Sequence, residues 1–313
     1  MLHLRVISPA DLTEQVLAEL EGQCGATHIA VQRGTVIRPE GDVIEATLAR
    51  EATNAVLTAL QELGVEHRGG VTLESLDTVL SDAADRAEEA APGDPDDAVI
   101  WEELIARTGE ESRLNGTFIA FLSLALLIAA VGVTTNSPVT VVGAMVVGPE
   151  FGPLAALAVA LVRRRWDLAR RSMLALLVGF PVAMGITLLG AFAAEAVGLI
   201  TTSSLDNLSQ VDFVFQVGPF SLIVALLAGA AGMLSMTSAK SAALVGVFIS
   251  VTTVPAAGFA VVAATLGRWR IAAESTGQLL INLAGITIAA VVVLTLRRRS
   301  WSRSDTGRPL PEN

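Results

Sequence analysis

The sequence contains no tyrosine, one cysteine, one lysine and three histidines among its 313 residues. A disulfide needs two cysteines, so Cys24 alone excludes an intramolecular disulfide framework and any zinc or iron–sulfur site that several cysteines would hold. The histidines His3, His28 and His67 all belong to the N-terminal quarter. Their spacing does not bring them together, so isolated surface histidines are favoured over a three-histidine metal site. We therefore predict no metal and no cofactor.

Charged residues are also scarce. They make up 17% of the chain, while apolar residues make up 52% and the mean hydropathy is +0.59; soluble proteins carry about 25% charged residues. Residues 1–112 contain 7 basic and 23 acidic side chains, whereas residues 113–313 contain 14 basic and 8 acidic ones, for a net charge of −10. This division predicts an acidic soluble head on a membrane body with basic flanks. Because no basic face exists outside those flanks, nucleic-acid binding is excluded.

Signatures of common enzymes are missing as well. The sequence has no P-loop, no G-x-G-x-x-G after a strand, no H-E-x-x-H and no G-x-S-x-G. The predicted membrane body has no histidine and a single deep carboxylate, Glu150, so we predict that the protein is not an enzyme. The N-terminal segment MLHLRVISPADL lacks the apolar core of a signal peptide, which predicts a cytoplasmic head.

The head, residues 1–82, has a hydrophobic period that changes several times. Spacings of three and four among Leu12, Val16, Leu17 and Leu20, and again within residues 52–63, predict two helices, and short apolar runs predict strands. The predicted elements span, in order, residues 3–7, 12–20, 27–31, 36–48 with an interruption at residues 39–42, 52–63 and 65–73. This βαββαβ order describes a ferredoxin-like α+β domain, an architecture that small regulatory domains use.

Residues 83–112 are predicted to connect the head to the body. Residues 83–97, AADRAEEAAPGDPDD, are acidic and small with two prolines, which indicates a solvated spacer. Val99, Ile100, Leu104 and Ile105 then form one apolar stripe. This short amphipathic helix is predicted to lie along the membrane surface or to pack under the body.

The body, residues 113–300, contains long uncharged runs. Residues 114–149 hold 36 positions without a charge, and because a spanning helix needs about 20 residues, they must contain more than one segment. The polar stretch at residues 134–138 marks the break. Six membrane-spanning helices are predicted, at residues 114–134, 138–162, 172–194, 217–237, 241–267 and 275–296. Residues 301–313 form a tail.

Basic residues predict the orientation of these helices. With the head inside the cell, the arginines of residues 163–171, Lys240 and the arginines of residues 297–303 are cytoplasmic, and only Arg268 and Arg270 face out. Span ends are where interfacial anchors belong, and all four tryptophans lie there: Trp101, Trp166, Trp269 and Trp301. The sequence predicts a multi-pass protein of the inner (plasma) membrane with both termini cytoplasmic.

The second predicted span is interrupted at its centre. Gly-Pro-Glu-Phe-Gly-Pro runs from Gly148 to Pro153, and Glu150 is the midpoint of residues 138–162. Two prolines and two glycines predict unwound backbone, which persists in a membrane only when it is buried in protein or lines a wet cavity. Pro153 suits the first turn of a second half-helix whose free N–H groups point at the membrane centre.

The fifth predicted span resembles the second. An alignment that places Asn136 on Ala239 sets Thr252–Thr253 opposite Pro149–Glu150. The first and last three spans are then inverted repeats with broken helices that meet at the membrane centre, a pattern typical of transporters. Helices rich in valine, glycine and alanine also resemble one another by composition alone, so this alternative stays open.

The two interrupted segments resemble a known family. NSPVTVVGAMVVGPEFGP at residues 136–153 and ALVGVFISVTTVP at residues 243–255 resemble the uncharacterised bacterial and archaeal hydrophobic-domain family, domain of unknown function 389, over residues 114–260. The resemblance implies a polytopic inner-membrane protein, often with a soluble N-terminal head, and implies no activity. Gly148, Glu150 and Ala256 depart from the family pattern, in which a serine, an aliphatic residue and a second proline are expected.

Glu150 is the strongest functional candidate, because an ionisable group near the membrane centre is costly and is typical of a proton relay or a cation ligand. The alternative is that it caps the half-helix beginning at Phe151. Asn282 is either a ligand or a link between helices, and Gly148 and Gly152 are alternatively a packing face. The candidate substrate or ion site comprises Asn136, Ser137, Gly148, Pro149, Glu150, Gly152, Pro153, Thr252, Thr253, Pro255 and Asn282.

These features predict a transporter or channel for a small solute or ion, surrounded by the lipid bilayer and regulated by its head, with assembly into a homo-oligomer left open. The alternative is a non-transporting membrane sensor or scaffold whose head binds a ligand or partner. A wet cavity that reaches Glu150 favours transport, whereas a sealed plug in which Glu150 caps a helix favours the scaffold.

Overall fold

The structure is a computed structural model that describes residues 1–93, 98–201, 205, 211, 218–238 and 252–304, with side chains up to residue 298. The chain forms two compact units. The first is Met1–Trp101 together with the C-terminal segment from Arg297, and the second is Glu102–Leu296.

The first unit contains four strands and four helices between residues 2 and 90. The elements are β1 (Leu2–Ser8), α1 (Thr13–Glu21), β2 (Ala26–Ile37), β3 (Glu40–Leu48), α2 (Thr53–Glu62), α3 (Val65–Arg68), β4 (Gly70–Ser75) and α4 (Asp82–Ala90). The strands form one antiparallel sheet in the order β2-β3-β1-β4. The order of strands and helices predicted from the sequence is present, with α3 added before the last strand.

Alternation along the strands directs one apolar face of this sheet toward α1 and α2. In β1 the even-numbered residues from 2 to 8 are buried, and the residues between them are not. Leu4 and Val6 pack with Ile44 of β3, Val16 of α1 and Leu60 of α2. Full burial of such a side chain contributes roughly 1.5–3 kcal/mol, so this core is the main stabilising contribution to the unit.

Residues 65–73, predicted as one strand, form two elements. Gly64 has a φ of 69°, in the left-handed region that glycine adopts without steric cost. The chain then makes α3 before β4 begins at Gly70. Val65 is buried in the core, but it reaches the core from a helical turn and not from a strand.

A helix occupies the start of the segment that was predicted as a solvated spacer. The hydroxyl of Ser81 accepts hydrogen bonds from two N–H groups of the first turn of α4, at 3.2 and 3.4 Å, which is a common way to begin a helix. Ala84 and Ala87 of α4 are buried. Residues 94–97 of the predicted spacer lie outside the described residues.

Residues 98–101 pack within the first unit. Asn54 Nδ2 donates to the carbonyl O of Val99 at 2.7 Å, and the Trp101 N–H donates to Asn54 Oδ1 at 3.3 Å. Val99 and Ile100 are buried and Trp101 is 9% exposed, so these residues do not form the membrane-facing stripe or interfacial anchor that the sequence predicts. The compact unit extends past the predicted boundary at residue 82.

Asp42 provides a test of stability in the head. The Gly34 N–H and the Thr13 hydroxyl donate to its two carboxylate oxygens, each at 2.7 Å, and these hydrogen bonds hold the pKa of Asp42 below its ordinary value. A carboxyl whose pKa is lower in the folded state stabilises the fold above its unfolded pKa, and the contribution is lost as the pH falls through the folded pKa. We therefore expect Asp42→Asn to lower the melting temperature at pH 7 and to have a smaller effect near pH 3.

The measurement is thermal unfolding of residues 1–101, followed by circular dichroism. Asp77→Asn makes the same change at an exposed position and is expected to leave the melting temperature close to that of the wild type at both pH values. An effect of Asp42→Asn that is equal at pH 7 and pH 3 would contradict the prediction.

The second unit is helical. Its helices are α5 (Trp101–Glu111, from residue 102), α6 (Gly116–Thr134), α7 (Pro138–Val147), α8 (Phe151–Arg163), α9 (Trp166–Ala196), α10 (Pro219–Thr237), α11 (Thr253–Thr265) and α12 (Trp269–Ser304, to residue 296). Among the described residues, four helices are long and apolar enough to cross a membrane: α6, α9, α10 and the Trp269–Arg298 part of α12. A fifth span is present if α7 and α8, which meet at an angle of 50°, cross as one.

Six spans are therefore not confirmed. The predicted span at residues 241–267 is described only as α11, a 13-residue helix, because residues 241–251 lie outside the described residues. The other five predicted spans each overlap a helix or the bent pair.

The outward faces of these helices are apolar. Large exposed side chains include Phe121, Leu124, Leu177, Leu189, Leu227, Leu280 and Ile288. Soluble proteins rarely expose so many large apolar side chains together, so the helices indicate a multi-pass membrane protein. Trp166 and Trp269, at the starts of α9 and α12, are 63% and 71% exposed, as expected for interfacial anchors.

Candidate functional site

The candidate site is built around the bend between α7 and α8. α7 ends at Val147 and α8 begins at Phe151, so the three residues Gly148–Glu150 form the break, and the interruption predicted from the sequence is confirmed. Pro149 has no N–H to continue the hydrogen bonding of α7. Pro153 lies in the first turn of α8, where a missing N–H costs nothing.

Glu150 is buried in this bend and its side chain turns away from α8. It stands at the N-cap position of α8 but makes no side-chain capping hydrogen bond. Its Oε1 instead accepts a hydrogen bond from the hydroxyl of Thr253, at the start of α11, with 2.5 Å between the oxygens. Glu150 is 2% exposed and Thr253 is completely buried. The carboxylate therefore connects two helix starts that are 103 residues apart in the chain.

Gly148 leaves space for this carboxylate. A Cβ atom at Gly148 would overlap Glu150 Oε2 and would lie 2.7 Å from Cγ2 of Val254. The absence of a side chain at this position thus admits both the Glu150 side chain and the first turn of α11. Gly148 thus allows close packing, which is the alternative predicted for it from the sequence, and the group packed against it is the Glu150 carboxylate.

Polar groups of α12 continue the cluster. Asn282 Nδ2 donates to the hydroxyl oxygen of Thr252 at 2.7 Å, and Gln278 Nε2 donates to Asn282 Oδ1 at 3.1 Å. Gln278 and Asn282 are each 1% exposed. Asn282, predicted from the sequence, is brought to the site. Gln278 was missed, although a glutamine four residues before an asparagine on an apolar span is a signal that could have identified it.

Four side-chain oxygens of the second unit are buried with no hydrogen-bond partner among the described residues. They are Glu150 Oε2, Gln278 Oε1, Ser275 Oγ and Ser123 Oγ. Ser275, Gln278 and Asn282 are spaced by three and four residues and therefore share one face of α12. Buried polar atoms are normally paired, so this concentration on α12 and at Glu150 needs an explanation. The described residues contain no group of three or more His, Cys, Asp or Glu side chains that could hold a metal ion.

Asn136 and Ser137 are not brought to this cluster. They lie at the turn between α6 and α7, where Asn136 has a φ of 49° and Ser137 Oγ accepts from the Thr140 N–H at 3.4 Å to begin α7. The ten residues of α7 separate them from the bend by about 15 Å, at 1.5 Å per residue. The observed role of Ser137 is to cap the start of α7.

Gly152 faces a different neighbour. A Cβ atom at Gly152 would lie 2.5 Å from Cβ of Glu111, at the end of α5, so the glycine allows α5 to approach α8. Burial raises the pKa of the Glu111 carboxyl, and Arg107, 3.6 Å away, opposes that shift. A Cβ atom at Gly109 of α5 would lie 3.9 Å from a methyl group of Leu168 in α9. The part of α5 from residue 102 thus packs against the helical body.

α8 and α11 have similar starts. Each helix has 13 residues, and its third residue is proline, Pro153 in α8 and Pro255 in α11. Glu150 immediately precedes one helix and Thr252 the other. Matching the two helix starts places Pro153 on Pro255. The alignment predicted from the sequence matched the whole segments and placed Pro153 on Ala256, one residue later.

The first unit contains a separate open pocket. Its volume is about 550 Å³, and its polar lining includes Glu51, Asn54, Thr58 and Glu62. Cys24 lies on the same wall. The pocket was not predicted from sequence, because its lining comes from the loop after α1 and from one side of α2.

Comparison with known proteins gives two matches. The family described as a domain of unknown function (DUF389) matches residues 145–288, a range that contains Glu150, Thr253, Gln278 and Asn282. An uncharacterized protein of Methanocaldococcus jannaschii is 25% identical over 210 residues, which are 66% of this chain. The chain spans 62% of the length of that curated relative. No solved structure matches the chain. Together the two matches support the resemblance predicted from the motifs at residues 136–153 and 243–255, and they support an assignment to the DUF389 family.

Proposed function

We propose that this protein is a membrane transporter or channel for a small solute or ion, with its site at the bend between α7 and α8. The observation that carries the proposal is the environment of Glu150, a buried carboxylate that faces a hydroxyl group of another helix and does not cap its own. Ionisable side chains inside a membrane are costly and are typical of ion and substrate pathways. We propose no enzymatic activity for this site.

The paired helix starts support the proposal. α8 and α11 both begin within the polar cluster, and the N-terminal ends of such half-helices carry free N–H groups and partial positive charge. Discontinuous helices that meet in this way are common at the substrate sites of transporters built from inverted repeats. We propose that α6–α9 and the region from α10 to α12 are two such repeats.

The site is closed in this arrangement. Glu150 is 2% exposed, so a transport cycle must separate α11 from the bend and break the hydrogen bond between Thr253 and Glu150. Rocking of one repeat against the other exposes a fixed site to each side in turn. A sealed site is the arrangement that favours the scaffold alternative, but Glu150 lacks the structural role predicted as its alternative, because it makes no side-chain hydrogen bond that caps α8.

Reconstitution tests the proposal. Purified protein in liposomes is expected to carry at least one of H⁺, Na⁺, K⁺ and Cl⁻ faster than protein-free liposomes, as reported by ion-sensitive dyes. Gly148→Ala is expected to slow that flux because a Cβ atom would overlap the carboxylate. The matched control is Gly143→Ala on α7, where no described atom lies within 4 Å of the added Cβ. Folded protein that carries none of the four ions would contradict the ion-transport form of the proposal.

We also propose that the protein lies in the inner membrane with both termini in the cytoplasm. The arginines of residues 163–171 and 297–303 and the exposed Trp166 and Trp269 support this orientation. Reporter fusions after residues 167 and 305 are then expected to report a cytoplasmic location, and a fusion after residue 210 a location outside. A cytoplasmic signal from residue 210 would contradict the six-span topology.

The pocket of the first unit favours a second candidate function. An open pocket of about 550 Å³ with acidic and amide groups in its lining is large enough for a small ligand. We propose that the head regulates the body through this pocket; in the sensor alternative, ligand binding is the whole function. Ala55→Trp fills the pocket from an exposed position and is expected to abolish stabilisation by such a ligand. Ligand binding by a protein that supports no flux would favour the sensor.

A further inference from the structure

We infer that the cluster of Glu150, Thr253, Ser275, Gln278 and Asn282 binds a dehydrated monovalent metal cation, Na⁺ or K⁺, through oxygen atoms. The inference deepens the proposed function and rests on the same site. It names the class of ion, and it can be tested by binding without any measurement of transport.

The hydrogen bonds of the cluster leave several of its oxygens unpaired. The Thr253 hydroxyl donates to Glu150, the Asn282 amide donates to Thr252, and the Gln278 amide donates to Asn282. The buried atoms left without a partner within the described part of this cluster are Glu150 Oε2, Gln278 Oε1 and Ser275 Oγ. All are oxygens, and each can donate a lone pair. Glu150 Oε2 and Gln278 Oε1 can only accept, so a ligand that completes this site must attract oxygen, and the negative charge of the Glu150 carboxylate disfavours an anion.

Oxygen atoms of this kind are the ligands of hard cations. Carboxylate, amide carbonyl and hydroxyl oxygens bind alkali and alkaline-earth ions, whereas transition metals favour nitrogen and sulfur. The residues of the cluster include no histidine or cysteine. Three of its members, Ser275, Gln278 and Asn282, lie on one face of α12. Asn282 bonds to Thr252, the neighbour of Thr253, which in turn bonds to Glu150. The cluster therefore draws its oxygens from three helices.

The charge of the cluster matches a single positive charge. Glu150 supplies one carboxylate, and none of the other four side chains is ionisable. A net charge is costly in an apolar interior unless it is neutralised. A monovalent cation gives a neutral complex, whereas a divalent ion would leave an excess positive charge, and calcium sites usually contain several carboxylates.

Equilibrium binding of ²²Na⁺ and ⁸⁶Rb⁺, the second as a congener of K⁺, to the purified full-length protein in detergent tests the inference. We expect saturable binding of at least one ion, and a rise in melting temperature when that ion replaces choline. Glu150→Gln and Gln278→Leu are expected to weaken binding by about 10- to 100-fold, because each removes an oxygen contact to a charged ligand.

Two matched controls distinguish loss of cation binding from loss of folding. Glu195→Gln removes an exposed carboxylate on α9 and is expected to bind like the wild type. Thr253→Val removes the hydroxyl that contacts Glu150, whereas Thr187→Val makes the same change at a buried threonine whose hydroxyl bonds to the Ala183 carbonyl of its own helix at 2.8 Å. We expect only Thr253→Val to weaken binding. This pair also keeps the test decisive if Glu150→Gln fails to fold.

The outcomes distinguish the inference from the proposed function. Folded wild-type protein that binds neither ion, or binds equally well after Thr253→Val and Gln278→Leu, would overturn the inference. If the melting temperature responds to pH but to neither ion, the occupant of the site is a proton. That result would also overturn the inference. Flux of another solute without cation binding leaves transport intact and removes this site assignment. Cation binding without flux supports the site and contradicts transport.

Discussion

Glu150→Gln is expected to reduce ion flux through the reconstituted protein by about 10- to 100-fold while the chain still folds, because it replaces a charged ligand by a neutral one of the same size. Glutamine can accept the hydrogen bond from Thr253 through its carbonyl oxygen, so the contact between the bend and α11 is retained. The loss should therefore appear in flux, while the melting temperature measured in choline, without a bound cation, should stay close to that of the wild type. The measurement is initial flux into liposomes at equal protein content.

The control for this variant is Glu195→Gln, which removes the same charge from an exposed position of α9 and is expected to transport like the wild type. Equal flux from Glu150→Gln and wild type, with both proteins folded, would show that the carboxylate has no role in permeation. A large fall in melting temperature without a change in flux per folded molecule would assign Glu150 a structural role only.

Gly229→Ala is expected to destabilise the helical body. A Cβ atom at Gly229 of α10 would lie 2.5 Å from the carbonyl O of Ile286 and 2.7 Å from its Cα. Both atoms belong to the backbone of α12, so the helices must separate, and such overpacking costs about 1–3 kcal/mol. Small residues that allow backbones to approach are the main packing device between membrane helices. The measurement is thermal unfolding in detergent, followed by tryptophan fluorescence.

Gly185→Ala is the matched control. Gly185 lies in α9 and no described atom would come within 4 Å of the new Cβ. Alanine favours a helix over glycine by about 1 kcal/mol, so this variant is expected to melt at the same temperature as the wild type or slightly higher. Equal destabilisation by both variants would show that the contact between Gly229 and Ile286 does not hold α10 against α12.

The break at residues 148–150 was predictable because its cause is local. Proline removes a hydrogen-bond donor and glycine weakens a helix, whatever surrounds them. The position of Glu150 inside that break followed from counting residues along an uncharged run. The same reasoning identified the helices that indicate a membrane protein, because length and hydropathy are properties of the chain.

The hydrogen-bond partners of Glu150 could not be predicted from the sequence. The pairing with Thr253 joins residues 103 positions apart, and no local pattern specifies which helix start faces which. Gln278 was missed although its spacing of four from Asn282 is visible in the sequence, because that spacing alone does not show which other helix the pair contacts. Asn136 and Ser137 were grouped with Glu150 by motif, yet the length of α7 separates them.

The head shows the same division. Alternating and three-four spacings predicted the order of its strands and helices. The short helix α3 and the packing of residues 98–101 were not predicted. Val65, Val99 and Ile100 are apolar, and apolar character alone does not distinguish a strand from a helical turn or a loop. Their positions were decided by a turn at Gly64 and by the hydrogen bonds that Asn54 donates to Val99 and accepts from Trp101.

By itself, the sequence determined a small acidic α+β head, an apolar helical body, a span broken at a single carboxylate and a resemblance to the DUF389 family. These properties depend on composition and on intervals of a few residues, where backbone geometry and hydropathy act directly. Only the tertiary structure decided that Glu150 faces Thr253 and does not cap α8, that Gln278 and Asn282 extend the cluster, and that buried oxygens remain unpaired among the described residues. Hydrogen-bond partners and burial depend on which helices pack together, and that choice is made by the whole fold.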